Sequence, residues 1–391
     1  ALRPTSCCMA SSYPDAVVQA LYLHVPFCPS VCPYCDFHKM LRHEGLVARY
    51  LDRLEEEIHE NALQYPGPLR TVYLGGGTPS HLRDAELTRL LAAIDAAWGR
   101  DGREETTLEA DPLTFDEDRL EVFAALGVDR LSLGLQSTQD DTLRYLGRLH
   151  DGAQGVEAVG MALASTMRVN VDVMTSMQEQ DLERDLRTVA ETGARHISVY
   201  GLTIEENTPF ARRGYRVDED RDAAAFELSD QVLAEYGLQR YEVSNFAANG
   251  EESLHNLGYW RGAFHLGLGP SATAYLPAHG PFGARIKQQP LKGWLLGAAP
   301  DVDVLDVDSY LLERLLTGLR TREGVDLAAL RDKTGVALES TAGRWLDDTI
   351  KHDLLTLAGG RLTATPTGLQ RLDAVMRAYV GSRRLMVTAG G

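Results

Sequence analysis

Three cysteines lie close together in the segment Cys28-Pro-Ser-Val-Cys32-Pro-Tyr-Cys35. The spacing Cys-x3-Cys-x2-Cys puts three thiolates on one short loop. Electron-transfer 4Fe–4S clusters are normally held by four cysteines, so a set of three leaves one iron without a protein ligand. The motif therefore predicts a 4Fe–4S cluster held by Cys28, Cys32 and Cys35, with an open iron for the amino and carboxylate groups of S-adenosylmethionine (SAM).

Two other uses of these thiols stay open. A structural zinc ion would need a fourth Cys or His ligand, and His24 and His38 are near in the sequence. A disulfide with one spare thiol is less favoured, because only five cysteines and no secretory segment indicate a reducing compartment. Zinc sites more often pair two Cys-x2-Cys motifs, which favours the cluster. Cys7 and Cys8 are adjacent, a poor geometry for joint ligation, and are interpreted as incidental.

Short apolar runs that alternate with helical patterns must position this loop. In one helical pattern, Leu46–Ala62, the residues Leu46, Tyr50, Leu54 and Ile58 share a face. Repeated strand-then-helix order predicts a parallel sheet with right-handed crossovers, here an α/β fold with an incomplete (β/α)6 barrel. Chemistry in such a barrel belongs at the carboxyl ends of the strands. The six candidate strands are Leu21–Val25, Thr71–Leu74, Thr106–Ala110, Arg130–Gly134, Val169–Val173 and His196–Leu202.

The domain organisation follows from where this alternation stops. We predict an N-terminal tail over residues 1–20, the barrel and its extension over 21–276, a Pro- and Gly-rich connector over 277–300 and a C-terminal domain over 301–391. The last part has helices followed by a small hairpin, which predicts a compact winged-helix-like module. Its expected elements are helices at Asp308–Leu319 and Asp326–Thr334, a further stretch Trp345–Leu357, a strand at Arg361–Ala364 and a final helix near Gly368–Tyr379.

The charge balance limits the partners. A formal net charge of −17 argues against broad nucleic-acid binding, which needs a basic surface, and against docking on anionic membranes. No apolar run approaches the ~20 residues that span a bilayer, so stable membrane insertion is not expected. Only five of the 39 basic residues are lysine, which favours a GC-rich genome and a bacterial cytoplasm. A mitochondrial matrix protein is the alternative.

Polar residues follow several of the predicted strands. Gly75-Gly76-Gly77-Thr78-Pro79 lets the backbone approach a ligand closely, although a tight turn is the commoner use of such a motif. Glu109 closes the third strand, where its carboxylate could pair with the ammonium of SAM or be solvated. Arg148 could clamp a carboxylate bidentately. Gln136 follows the fourth strand and Asp172 lies in the fifth, so the pattern predicts one binding site at the strand ends.

A separate aromatic motif is His255-Asn256-Leu257-Gly258-Tyr259-Trp260. A histidine beside Tyr and Trp provides an axial ligand for heme iron and flat apolar faces for a macrocycle. The alternative is a hydrogen-bonded histidine in an aromatic corner. His255, Tyr259 and Trp260 are therefore candidate heme-binding residues, and the residues alone leave both interpretations open.

Together these motifs resemble a branch of the radical SAM family, the one that contains oxygen-independent coproporphyrinogen III oxidase and the HemW heme chaperones. The resemblance implies that the three cysteines hold a 4Fe–4S cluster. The positions that it places around SAM are Tyr22, Tyr34, Gly76, Gly77, Thr78, Glu109, Gln136, Arg148 and Asp172. The segments that carry it are Tyr22–Cys28, Cys35–Phe37, Gly75–Ser80, Gly127–Ser137, Ser198–Leu202, Tyr241–Ala247, His255–Trp260, Gly318–Arg320 and Glu323–Val325.

One residue separates the two branches. The oxidases have a further cysteine two places after the third one, whereas this chain has Phe37. The resemblance therefore implies a heme chaperone that delivers heme to respiratory acceptor proteins, with cluster and SAM regulating the transfer. The alternative is a radical enzyme that receives an electron from a donor, cleaves SAM and decarboxylates coproporphyrinogen III. A zinc or scaffold protein is a third reading.

The chain departs from the family pattern twice. Where relatives have a Gly-Leu-Pro-Gly turn after the fifth strand, this chain has Met174-Thr-Ser-Met-Gln-Glu-Gln180. After Gly267–Pro270, where relatives continue Gly-Ala-His-Ser, it has Ser271-Ala272-Thr273-Ala274. The first departure predicts altered SAM affinity, and the second removes a histidine with an auxiliary role in heme or SAM contact.

Overall fold

The computed structural model describes residues 17–389 except 176, 178 and 217. Cys7 and Cys8 lie outside the described residues. The strands are β1 (Ala20–Val25), β2 (Phe27–Cys28), β3 (Met40–Leu41), β4 (Thr71–Gly76), β5 (Glu105–Ala110), β6 (Arg130–Gln136), β7 (Arg168–Thr175), β8 (His196–Gly201), β9 (Gln239–Arg240), β10 (Asn245–Ala247), β11 (His265–Leu268), β12 (Thr273–Leu276), β13 (Ala284–Lys287), β14 (Asp301–Val304), β15 (Val325–Asp326), β16 (Leu355–Ala358) and β17 (Arg361–Ala364).

The helices are α1 (Glu44–Gln64), α2 (Asp84–Trp98), α3 (Glu117–Ala125), α4 (Asp140–Leu146), α5 (Gly152–Ala164), α6 (Leu182–Glu191), α7 (Pro209–Arg212), α8 (Glu219–Glu235), α9 (Leu254–Arg261), α10 (Leu291–Leu295), α11 (Val307–Gly318), α12 (Leu327–Thr334), α13 (Leu338–Thr341), α14 (Gly343–Lys351), α15 (Pro366–Gln370) and α16 (Leu372–Ala389), with a 3₁₀ turn at Pro79–His81.

The six predicted strands form the centre of one large sheet. They are β1, β4, β5, β6, β7 and β8, and each runs parallel to the next. The whole sheet has twelve strands in the order β14-β13-β12-β11-β1-β4-β5-β6-β7-β8-β10-β9. Its two edge strands do not pair with each other, so the sheet is open. The predicted α/β fold with an incomplete radical SAM barrel is confirmed.

Burial of apolar side chains on the sheet explains these elements. In β1, Leu21, Leu23 and Val25 are fully buried, as expected for a parallel strand that is covered on both faces. On α1, the predicted face with Tyr50, Leu54 and Ile58 is buried. The carboxyl ends of the central strands therefore meet at one edge of the sheet, with their loops free to build a site.

The segment after residue 276 contains more regular structure than its composition indicates. Residues 277–300 include β13 and α10, and β13 joins the large sheet between β12 and β14. Farther on, the stretch Trp345–Leu357 divides into the end of α14 and the start of β16. A second apolar cluster, with Leu311, Trp345 and Tyr379 among its members, packs separately from the sheet. The division at 277–300 stays a prediction.

Ser271 has a backbone φ of 61°, in the left-handed region that favours glycine. A non-glycine residue in this conformation costs roughly 1–2 kcal/mol of stability. Glycine avoids that cost, but it also makes the unfolded chain more flexible, which cancels part of the gain. We expect Ser271→Gly to raise the free energy of unfolding by about 0.5–1 kcal/mol in chemical denaturation. Ser340→Gly, in the exposed helix α13, is the control and should lower it. A lower stability for Ser271→Gly would contradict the backbone argument.

Candidate functional site

A cavity of about 470 Å³ opens at the carboxyl ends of the central strands. This is the position at which the sequence predicts the binding site. The predicted residues that line it are Cys28, Cys32, Tyr34, Cys35, Gly76, Gly77, Thr78, Glu109, Gln136, Arg148 and Asp172. The structure therefore brings eleven residues from six separate parts of the chain to one place.

The cysteine loop packs directly on the glycine turn after β4. The Gly77 N–H donates to the Val25 carbonyl over 2.8 Å, and the Thr78 N–H donates to the Phe27 carbonyl over 2.9 Å. A Cβ on Gly77 would lie 2.7 Å from the Val25 carbonyl oxygen, so glycine alone fits this contact. The turn thus fixes the start of the loop that carries the three thiols.

The surroundings of the three cysteine thiols suit a metal group that binds them as thiolates. Burial raises the pKa of Cys28 to about 11 and raises the pKa of Cys35, so both are protonated before a metal arrives and lose their protons when it binds. Lys39 lines the same cavity, and Arg148 Nη1 lies 3.8 Å from Cys32 Sγ. These two cations offset the negative charge of three thiolates. The residues therefore fit a 4Fe–4S cluster.

The zinc alternative needs one of two nearby histidines, and both are engaged. His24 Nδ1 is 3.0 Å from the Tyr22 hydroxyl and its Nε2 is 2.7 Å from the His38 carbonyl oxygen. His38 Nε2 accepts the Leu291 N–H over 3.1 Å. Within the described part of the chain, no three Cys, His, Asp or Glu side chains converge on the position of a single metal ion.

Arg148 is held by groups that sequence reasoning missed. Its Nη2 lies 2.7 Å from Asp111 Oδ2 and 2.6 Å from the Gly134 carbonyl oxygen. Its Nε is buried without a hydrogen-bond partner among the described residues, which leaves one donor for a ligand. Asp111 follows the predicted Glu109 by two residues, the one sequence signal that it belongs to the site.

Two partly buried carboxylates face the cavity. Glu109 accepts the Gly76 N–H and the Tyr73 hydroxyl, each over 2.9 Å, and burial raises its pKa to about 7. Burial also raises the pKa of Asp172 to about 6. A positively charged ligand group would favour the charged form of both and regain the free energy lost on burial. The pair therefore suits an ammonium or sulfonium group.

Gln136 ends β6 in a strained conformation. Its φ is 72°, and the register of β6 against β7 shifts between Leu133 and Gln136. Left-handed backbone at a non-glycine residue is typical of ligand sites. Tyr200, which lines the cavity from the end of β8, donates its hydroxyl to Gln136 Oε1 over 2.7 Å. The sequence carried no separate signal for Tyr200.

Side chains replace the missing glycine turn after β7. Gln180 Nε2 donates to the Met174 carbonyl over 2.7 Å and to Asp185 Oδ2 over 2.8 Å. Asp185 is fully buried and also accepts from the Ser137 hydroxyl and the Thr138 N–H. Gln180 is therefore tied through Asp185 to the residues that follow Gln136, and Met174 lines the cavity, whereas residues 176 and 178 lie outside the described residues.

The predicted heme motif lies at the other end of the strands. His255 is on α9, and its Nδ1 is 2.9 Å from the hydroxyl of Thr71, the first residue of β4, whereas the cavity lies at the last. Its ring packs on Tyr73 and Tyr259, with centroids 5.1 and 4.7 Å away. Burial lowers the pKa of His255 to about 3. His255, Tyr259 and Trp260 do not line the cavity, so their heme role stays a prediction.

Tyr22 is also set back from the cavity. Its ring stacks on Tyr73 with centroids 6.1 Å apart, and its hydroxyl contacts His24. Tyr73 lies between the two predicted sites, because its hydroxyl reaches Glu109 while its ring contacts His255. Tyr22 does not line the cavity, and its contact with SAM stays a prediction.

Comparisons with known proteins agree with this geometry. The profile of the radical SAM superfamily matches residues 22–192, and the profile of the HemN C-terminal domain matches residues 305–371. The heme chaperone HemW of Lactococcus lactis is 32% identical over 92% of this chain and 96% of its own length. A mitochondrial radical S-adenosyl methionine domain-containing protein of Bos taurus is 34% identical over 82% of this chain and 72% of its length.

The fold has a solved counterpart. Coproporphyrinogen III oxidase (HemN) from Escherichia coli, a radical SAM enzyme, superimposes with a TM-score of 0.80 over 94% of this chain and 91% of that one, at 21% sequence identity. That identity shows the shared fold alone, whereas the HemW relative matches nearly end to end. The chain belongs to the HemW family of radical SAM proteins.

Proposed function

We propose that this protein is a heme chaperone, which binds heme and delivers it to acceptor proteins of respiration. Phe37 carries the proposal within the site. It lines the cavity and is 71% exposed, at the position where the oxidases have a cysteine. The near full-length match to a relative named heme chaperone HemW supports it.

The cavity residues would hold the cofactors of the radical SAM family. Cys28, Cys32 and Cys35 would ligate a 4Fe–4S cluster, and Glu109 would accept a hydrogen bond from the amino group of SAM. The cluster, when bound and reduced, supplies one electron to SAM. The protein contributes a turn of three glycines that admits the ligand closely.

A radical oxidoreductase of porphyrin metabolism is the second candidate. The complete set of charged residues around the cavity, with Glu109, Arg148 and Asp172 in place, favours an active SAM site. Release of 5′-deoxyadenosine together with decarboxylation of coproporphyrinogen III by the reconstituted, reduced protein would support this function over the first. SAM cleavage without turnover of the porphyrinogen would not.

The test of the chaperone function is a titration of hemin into the anaerobically reconstituted protein, followed by the Soret band. A saturable one-to-one change, and transfer of that heme to an apo-cytochrome acceptor, are the expected results. The absence of saturable binding would overturn the proposal. The variant His255→Ala tests the sequence prediction of the axial ligand separately.

We infer a bacterial cytoplasm as the location and the division at residues 277–300 as the domain boundary. The relatives support the first in part, since one is bacterial and one mitochondrial. No helix in the described ranges has the length and apolar character that crossing a membrane requires. For the second, the separate apolar cluster of the C-terminal part supports a distinct C-terminal domain, whereas β13 and α10 of residues 277–300 pack with the large sheet.

The raised pKa of Glu109, about 7, predicts a pH dependence. The unliganded folded protein keeps a proton that the unfolded chain releases near pH 4.5, so the stability from this group falls as pH rises from about 4.5 to about 7. SAM affinity should change in the opposite direction, because the positively charged sulfonium of SAM favours the ionised carboxylate. We expect SAM to bind about tenfold more weakly at pH 6 than at pH 8 in equilibrium titrations. Glu109→Gln should bind weakly at both; an equal slope in that variant would assign the effect elsewhere.

A further inference from the structure

A layer of buried polar side chains lies next to the cavity, on the neighbouring strands β6, β7 and β8. The strand register places Asn170 of β7 beside Ser132 of β6 and His196 of β8, and it places Asp172 beside Ser198. Residues two apart on a strand face the same side of a sheet. Of these five residues, Ser132 and Asp172 line the cavity. Asn170, which precedes Asp172 on the same strand, therefore lies one step farther from the cavity.

The amide of Asn170 uses its full hydrogen-bonding capacity. Its Nδ2 donates to the Ser132 hydroxyl and to Asp172 Oδ1, each over 2.8 Å. Its Oδ1 lies 2.5 Å from His196 Nδ1 and 3.1 Å from the Ser198 hydroxyl. A flipped amide would turn its oxygen toward the Asp172 carboxylate and lose that hydrogen bond. The orientation of this amide therefore decides whether Asp172 receives a donor.

The position of the hydrogen on the His196 ring follows from its other neighbour. His196 Nε2 is 2.8 Å from the Tyr241 hydroxyl, and the same hydroxyl accepts the Ser253 N–H over 3.3 Å. Because a backbone N–H can only donate, the hydroxyl hydrogen of Tyr241 is left for His196 Nε2, its other partner among the described residues. Burial lowers the pKa of His196 well below its usual value. The neutral ring therefore carries its hydrogen on Nδ1 and donates to Asn170 Oδ1.

These donors form a chain that runs in one direction, from the start of α9 to the cavity. Ser253 is the N-cap of α9, and its hydroxyl donates to the buried Glu105 over 3.2 Å. At the other end, burial raises the pKa of Asp172 to about 6, whereas hydrogen bonds from Ser198 and Asn170 favour its charged form. The chain thus joins a buried anchor to a carboxylate that needs donors to stay ionised.

We propose that His196 and Tyr241 are positioning residues for the SAM site, because they hold the amide of Asn170 in the orientation that donates to Asp172. Neither residue lines the cavity; both act through Asn170. The role rests on the proposal that the cavity residues hold SAM, and it extends that site to a second layer of side chains.

The first test needs no cofactor. Nitrogen NMR of the protein with isotope-labelled histidine should show His196 in the neutral Nδ1–H form, with its signal assigned by its loss in His196→Gln. Tyr241→Phe removes the hydroxyl that favours this form and should increase the share of the Nε2–H form. Tyr236→Phe is the matched control, since the Tyr236 side chain is 37% exposed and its hydroxyl contacts Glu191. An Nε2–H or doubly protonated His196 in the wild type would overturn the proposal.

The second test compares two amides at position 196. The amide nitrogen of asparagine is bonded to Cγ, like Nδ1 of histidine, so His196→Asn can still donate to Asn170. The amide of glutamine lies one bond farther out, like Nε2, so His196→Gln loses that donor. In equilibrium titrations of the anaerobically reconstituted protein, we expect near wild-type SAM affinity for His196→Asn. For His196→Gln we expect about fivefold weaker binding, as for one lost hydrogen bond.

A purely structural role would give the opposite order, because glutamine fills more of the space of the ring. Iron content and melting temperature verify that cluster and fold persist in both variants. Equal affinities, or weaker binding by His196→Asn, would overturn the positioning role and leave the SAM site standing. The absence of SAM binding by the wild type would overturn both, whereas the hemin titration tests the chaperone function independently.

Discussion

Replacement of Cys28 by alanine is expected to abolish the iron–sulfur cluster. After anaerobic reconstitution, the wild type should hold about four irons per chain, and the variant close to none. Two thiolates are too few to retain the cluster, and the described residues include no cysteine besides Cys28, Cys32 and Cys35 that could substitute. The measurement is iron and sulfide content together with the visible absorption of the cluster.

The control lies in the same loop. Ser30→Ala changes a partly exposed side chain between two of the cysteines and should keep the full iron content. If the wild type held one zinc ion per chain in place of iron, the predicted cluster would be contradicted and a structural zinc site would be favoured.

The second large effect is expected at Glu105. This carboxylate is fully buried and forms an ion pair with Arg130, which is 1% exposed, at 2.9 Å. It also accepts the Ser253 hydroxyl and the N–H groups of Leu254 and His255. Glu105→Gln leaves the guanidinium without its counter-charge, which costs about 3–5 kcal/mol when a buried pair is broken. Urea unfolding should show this loss.

The neighbouring residue is the matched control. Glu104 pairs with Arg70 at 2.7 Å, but the side chains are 43% and 53% exposed. Glu104→Gln should therefore cost less than about 1 kcal/mol, as is usual for surface ion pairs. Similar losses in the free energy of unfolding for both variants would show that the buried Glu105–Arg130 pair does not stabilise the amino ends of the barrel strands.

The central fold was predictable because its signals are local. Apolar runs such as Leu21–Val25 and Arg130–Gly134 mark parallel strands, and the carboxyl ends of parallel strands share one edge. That rule also predicted that Glu109, Gln136 and Asp172 would meet. The observed strands β4, β6 and β7 end at Gly76, Gln136 and Thr175, which is beyond their predicted ends. Polar residues and glycines at these strand ends hide the apolar pattern.

What the sequence did not reveal depends on contacts between distant segments. Asp111 and Asp185 are single polar residues without a motif, and Tyr200 is marked only as part of the segment Ser198–Leu202. Their partners become apparent only when strands and helices are packed. The Pro- and Gly-rich composition of residues 277–300 hid β13, a short strand near the sheet edge. The burial of His255 follows from the packing of α9 beneath β4, which no local pattern records.

The Glu105 network has a consequence for motion. It fastens β5, β6 and the start of α9 to one another at the amino ends of the strands, so these pieces cannot separate without exposing a buried charge. Amide hydrogens there should exchange with solvent only on global unfolding, whereas the exposed loops around the opposite end exchange through local opening. The protein therefore has a stiff base and a compliant entrance, and a cargo can be taken up and released while the scaffold stays rigid.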